Sequence, residues 1–134
     1  MVFAQPGQGR LADRMAARRA AFITQRLNLT EAEAQQFWPI FNDYTQKVQQ
    51  IRAGVKAEKP LDEMADADIE KIILADFDRD ARELDLKKEY FQKLKKVISV
   101  RKIGKLYRAE RDFKKELLED LQEMRQQRKE LRRN

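Results

Sequence analysis

The chain has 134 residues, 39% of them charged, and a formal net charge of +6, with only four glycines and three prolines. It contains no histidine and no cysteine, which excludes disulfides, thiolate nucleophiles and the usual imidazole and thiolate metal ligands, and removes the commonest proton shuttle. Such a length is one domain on the prior of roughly 100–200 residues per domain, and its wealth of Ala, Leu, Glu, Lys, Gln and Arg is the composition of helices.

Val2 and Ala4 ahead of Gln5 have the small-residue pattern of a secretory-signal cleavage site. Pro6, Gly7 and Gly9 then make residues 1–9 a flexible leader. A first helix is expected from about Arg10 to Leu27, with Leu11, Met15, Phe22, Ile23 and Leu27 as its apolar positions. Arg18 and Arg19 interrupt that stripe. Burying two guanidinium groups is costly unless each finds a carboxylate. Either acids of helix three pair with them, or this face is open and used for binding. We favour the open face, which makes Arg14, Met15, Arg18, Arg19 and Phe22 candidate protein-interaction residues.

Thr30 and Glu33 form a capping box, in which each side chain bonds the other residue's backbone N–H. The second helix carries Phe37, Phe41, Tyr44, Val48, Ile51 and Val55, whose steps alternate between four and three residues, a helix stripe with a coiled-coil period. Pro39 inside it predicts a kink near Gln35, and Gly54 to Pro60 end it. Trp38 lies one step off the stripe. It either closes the flank of the core or presents an apolar edge, and it joins the candidate interaction residues.

Residues 57–66 make the one substantial loop. Asp66 is the expected cap of helix three, with Asp68 and Glu70 favouring the helix dipole. That helix should run to about Val97 and bury Ile69, Ile73, Phe77, Ala81, Leu84, Lys88, Phe91 and Leu94. A stripe of more than three heptads on one short domain predicts a homodimer. Ser99 can cap helix four, with Ile103, Leu106, Glu110, Phe113, Leu117, Leu121 and Met124 on its inner face. The helical domain thus spans residues 10–124, and residues 125–134 form a basic, frayed tail. The expected fold is all-α: four helices, two of them long, folded back on each other by short turns.

No enzyme is expected. The chain has one serine, Ser99, better used as a cap, and neither a Gly-rich phosphate loop nor an H-E-x-x-H motif. Asp76 and Asp80 share a helix face, but calcium sites need a turn and many oxygens, so that face is read as solvated acid. No metal and no cofactor is therefore expected. Basic runs are interleaved with acids, as in Arg108-Ala109-Glu110-Arg111-Asp112, a pattern unsuited to tracking phosphates; no nucleic acid is expected. No stretch approaches the ~18–20 apolar residues of a membrane span. Charge is uneven: net +4 over residues 1–29, −3 over 30–98 and +5 over 99–134.

Phe22-Ile23-Thr24-Gln25-Arg26-Leu27-Asn28-Leu29-Thr30, followed by Phe37-Trp38-Pro39-Ile40-Phe41, resembles a family of exported helical proteins of Bacteroidetes-type bacteria. These are described as sensors of extracytoplasmic-function (ECF) sigma factors, within the broad Spy/CpxP (LTxxQ) periplasmic group. Leu86 to Val97 and Lys105 to Arg111 are similar to the same family's third and fourth helices, so the likeness covers roughly residues 20–120. Glu33 stands where the LTxxQ pattern has Gln, and the histidines of the family's nickel- and cobalt-sensing members have no counterpart here. The resemblance implies a cradle-shaped helical hairpin, commonly a homodimer, in the periplasm after removal of a signal peptide. It also implies an envelope-stress role: a chaperone that binds unfolded proteins without ATP or, alternatively, a sensor that binds an anti-sigma factor or sensor kinase.

Overall fold

A computed structural model of the chain describes residues 8–53, 57 and 59–133. The expected leader lies outside them up to Gly7, as does Val55 of the second stripe. The described residues form four α-helices: α1 (Gln8–Leu27), α2 (Glu31–Arg52), α3 (Asp66–Leu94) and α4 (Val100–Arg133). A single 3-10 turn covers Leu61–Glu63, and there is no strand among them. The fold is all-α, and α3 and α4, with 29 and 34 residues, are the two long helices.

The helix boundaries follow local chemistry. Asn28 ends α1 in the left-handed region, at φ 49°, and its N–H donates to the Thr24 carbonyl at 3.0 Å. Asparagine tolerates this conformation where a β-branched residue would not. Lys102 Nζ then donates to the Asn28 carbonyl at 3.1 Å, a cation placed at the negative end of α1. Thr30 directly precedes α2, as the capping box requires, and α2 runs on through Pro39 to Arg52.

Two expectations about helix ends are corrected. The N-cap of α3 is Ala65, not Asp66, and no side chain caps it; the Ala65 carbonyl accepts from the N–H groups of Asp68 and Ile69 at 3.0 and 3.1 Å. Asp66 and Asp68 instead occupy the first turn, where their charge favours the helix dipole. At the other end of the chain, α4 continues to Arg133 where a frayed tail was expected from Arg125. Residues 125–133 contain no Gly, Pro or β-branched residue, only good helix formers.

The chain divides into two units, one built of α1 and α4 and the other of α2 and α3. Within each unit the two helices run antiparallel. Asn28 and Arg18 of α1 meet Lys102 and Asp120 of α4, while Asp43 and Arg52 of α2 meet Tyr90 and Glu83 of α3. The buried core of the first unit is Ile23, Leu27, Ile103, Leu106, Ala109 and Phe113. That of the second is Phe37, Phe41, Val48, Tyr90, Leu94 and Ile98.

Candidate protein-interaction surfaces

In the α1/α4 unit the arginines that break the apolar stripe are all paired. The Arg18 guanidinium donates to Asp120 at 2.7 Å and lies 3.6 Å from Glu116. The Asp120 hydrogen bond raises its pKa, with the charges of Asp120 and Glu116 adding to the effect. Arg19 bonds Glu110 at 2.5 Å, and Arg26 bonds Asp112 at 3.2 Å. The face favoured as open is thus closed at Arg18 and Arg19, and the partners are acids of α4, not of helix three as considered from the sequence. Asp112, Glu116 and Asp120 recur at steps of four along one face of α4, and Glu110 lies on another.

Two of these cations also cover aromatic faces. Arg26 lies 4.7 Å from the Phe22 ring centroid and Arg18 lies 5.8 Å from that of Phe113, and the two rings are 5.5 Å apart. Arg18, Phe22 and Phe113 are thereby brought together as a ladder of cations and rings. Met15 is half-buried, and Arg14 is exposed.

Toward its other end this unit is open. Leu11 of α1 is 62% exposed, and Leu118, Leu121, Met124 and Leu131 of α4 are all at least 51% exposed. The inner stripe of α4 therefore holds from Ile103 to Phe113, with Leu117 half-buried, and then emerges at Leu121 and Met124. Charges of both signs lie among these side chains, Asp13 and Arg14 on α1 and Glu119, Asp120 and Glu123 near Leu121 on α4, with bases in excess only from Arg125 to Arg133.

In the α2/α3 unit an aromatic cluster seals one end. Phe37 and Phe41 stack at 5.3 Å, and Tyr44 adjoins Phe41 at 6.4 Å and Tyr90 at 5.4 Å. Trp38 is half-buried and stands edge-on to Phe37 and Phe41, at 4.9 and 5.9 Å. Of the two roles open to it from the sequence, these contacts fit closing the flank of the core. The Tyr90 hydroxyl donates to Asp43, while Lys47 and Lys93 lie 5.3 and 4.4 Å from the Tyr90 ring centroid. The Tyr90 bond is the chief reason the Asp43 carboxyl is held below its ordinary pKa, with Lys47 and Lys93 assisting.

The far end of this unit is polar. Arg52 Nε bonds Glu83 at 2.5 Å and Arg79 pairs with Asp76; with Asp80 these residues line a shallow cleft. Both of its cations are paired, Arg52 with Glu83 and Arg79 with Asp76. Among the described residues no three His, Cys, Asp or Glu side chains gather as a metal site.

The inner face of α3 differs from the expected one. Ile69, Ile72, Asp76, Arg79, Glu83, Leu86, Tyr90 and Leu94 are half-buried or buried, whereas Ile73, Phe77, Ala81, Leu84 and Lys88 are exposed. Both series have helical spacing, and they differ by about one residue of rotation, or 100°. The sequence favoured the more apolar series. The helix turns the other way because Tyr90 joins the aromatic cluster and bonds Asp43, while Glu83 reaches Arg52. The exposed series includes Ile73 at 45%, Phe77 at 62% and Leu84 at 52%, with Leu74 beside it at 56%.

Among the described residues no helix is long and apolar enough to cross a membrane. Compared with known family models, curated proteins and solved structures, the chain matches none.

Proposed function

We propose that this chain is a non-enzymatic envelope-stress protein of the periplasm that binds unfolded polypeptides without ATP. The observation that supports this reading is the open end of the α1/α4 unit, where Leu11, Leu118, Leu121, Met124 and Leu131 are all more than half exposed. Apolar side chains left in water gain roughly 25 cal/mol for each Å² that a client covers. Methionine and long basic side chains adapt to clients of varied sequence, and the basic segment from Arg125 to Arg133 speeds encounter with acidic segments. Arg14 and Met15 belong to the same unit and extend this surface. Arg18, Arg19 and Phe22 border it through their contacts with α4, whereas Trp38 packs on Phe37 and Phe41 and is no part of it. The periplasmic location rests on the family resemblance and on the cleavage-like Val2-Phe3-Ala4-Gln5 segment.

The test is suppression of aggregation of an unrelated unfolding protein. The wild-type chain should protect in proportion to its concentration without nucleotide, and a Leu121→Ser, Met124→Ser, Leu131→Ser variant should lose most of that protection. Absence of protection by the wild type, combined with stable capture of a single envelope component, would place the protein in the sensor class instead.

A further inference from the structure

We propose that the basic flank of α4 lies on an anionic phospholipid surface. Lys114, Leu118, Leu121, Arg125, Arg128 and Arg132 are all exposed and recur at steps of four, three, four, three and four residues, so they form one stripe along the helix. Arg111 extends it by a further step of three. Asp112, Glu116, Glu119, Glu123 and Glu130 form a second stripe, and at about 100° per residue the two lie about 150° apart around the helix axis. Charges that alternate along the sequence are thus sorted onto opposite flanks. The acidic flank holds the partners of Arg18 and Arg26 of α1. The one acid on the basic flank, Glu110, is bonded to Arg19. No base of the stripe forms an ion pair among the described residues.

The order of side chains within the stripe identifies the occupant. From Arg111 to Arg132 the stripe spans about 32 Å at 1.5 Å per residue. Leu118 and Leu121, 53% and 51% exposed, stand at its middle with bases toward both ends. Lipid phosphates complement the bases, and the acyl boundary just beneath them covers the leucines. The long stems of arginine and lysine lie along that apolar layer while their charged heads stay at phosphate level. The phosphates of a nucleic acid would satisfy the bases but leave both leucines in water. The helix lies in the plane of the surface and does not cross it. This inference does not depend on the client-binding reading. It shares Leu118 and Leu121 with that surface, whereas Met124 and Leu131 continue the line of Leu106, Phe113 and Leu117 toward α1.

Vesicle sedimentation with the full chain tests this. At low ionic strength the wild type should sediment with vesicles of phosphatidylglycerol and phosphatidylcholine, stay in solution with phosphatidylcholine alone, and be released by added salt. An Arg125→Gln, Arg128→Gln, Arg132→Gln variant should bind the anionic vesicles on the order of a hundredfold more weakly. Its helical circular dichroism should be unchanged, since glutamine is a good helix former and all three positions are exposed. Removing three charges from exposed positions elsewhere, by Lys71→Gln, Lys88→Gln and Lys96→Gln, should leave binding close to the wild-type value. Equal losses from the two triple variants overturn the inference, as does a wild type that stays in solution with anionic vesicles. Leu118→Ser, Leu121→Ser should weaken binding to the vesicles but not to a labelled single-stranded RNA. Tighter wild-type binding to the RNA than to the vesicles, with the leucine variant unchanged on both, overturns lipid in favour of a nucleic acid. The aggregation assay contains no lipid, so this inference and the client-binding reading fail separately.

Discussion

The two helix pairs solve the same packing problem with different materials. In α1/α4, an aliphatic seam of Ile23, Leu27, Ile103, Leu106 and Ala109 is buried, and arginines of α1 reach across its flank to carboxylates of α4. In α2/α3, aromatic rings fill one end and ion pairs fill the other. The first pair keeps the apolar series that its sequence displays, at least as far as Phe113. The second turns its most apolar series on α3 to the outside. Apolar content alone thus does not decide which face of a helix is buried; a partner able to satisfy the charged residues of the competing face can reverse the choice.

Large-to-small substitutions should separate the two faces of the second pair most strongly. Phe37 is 0% exposed, and Phe37→Ala should cost about 3–5 kcal/mol. Phe77→Ala, on the outer face of α3, should change stability by no more than about 0.5 kcal/mol. Ile103→Ala supplies the matched loss in the first pair, about 2–5 kcal/mol, because Ile103 is 1% exposed. Urea unfolding followed by circular dichroism measures all three. A Phe77→Ala loss as large as that of Phe37→Ala would mean that α3 is rotated toward the expected series.

These contrasts also mark how far the sequence was legible. Helix number, the α2 stripe from Phe37 to Ile51 and the α4 stripe from Ile103 to Leu117 followed from periodicity, since each helix has only one strongly apolar face. The fold class followed for the same reason. On α3 two faces competed, and the deciding contacts, Tyr90 with Asp43 and Glu83 with Arg52, join residues 47 and 31 positions apart. No local pattern encodes them. The pairing of Arg18 and Arg19 with α4 was hidden likewise, because it spans 102 and 91 positions. The open end of α1/α4 was half legible: Arg14 and Met15 were singled out, but Leu118 lay off the predicted stripe and Leu131 beyond the predicted domain.

The left-handed turn at Asn28 joins α1 to the segment leading into α2, and its chemistry is local. Asn28→Val places a β-branched residue at φ 49° and should cost about 1–2 kcal/mol. Asn28→Gly keeps the geometry free of strain and should leave the melting temperature within the error of the measurement. Equal destabilisation by both would show that the Asn28 side chain, not its backbone conformation, carries the effect.

The ion pairs of α1/α4 should contribute less than the seam they flank. The Arg19 and Glu110 side chains are only 30% and 27% exposed, and Arg19→Ala should cost about 1 kcal/mol or less. Arg18 is more exposed, at 42%, so Arg18→Ala should cost less than Arg19→Ala, and added salt should shrink both differences. Melts at low and high ionic strength check this. A large, salt-independent loss from either variant would mean that the guanidinium is buried more deeply than its exposure indicates.

The smallest effect belongs to the Tyr90–Asp43 bond and shows only in acid. The Asp43 carboxyl is held below its ordinary pKa in the folded chain, mainly by the Tyr90 hydroxyl. A carboxylate with a depressed folded pKa contributes stability in full above its unfolded value, about 3.9, and loses it as pH falls through the folded value. The α2/α3 unit should therefore begin to lose this contribution below about pH 4. Tyr90→Phe retains the ring beside Tyr44 and between Lys47 and Lys93 but removes the donor. Its stability at neutral pH should fall slightly, and its acid limb should be flatter than that of the wild type, though not flat, because Lys47 and Lys93 still act on Asp43. Acid titration of stability for the two chains distinguishes this from a purely steric role. Parallel curves would show that the hydroxyl does not set the Asp43 pKa, and that the aromatic contacts of Tyr90 alone fix the rotation of α3.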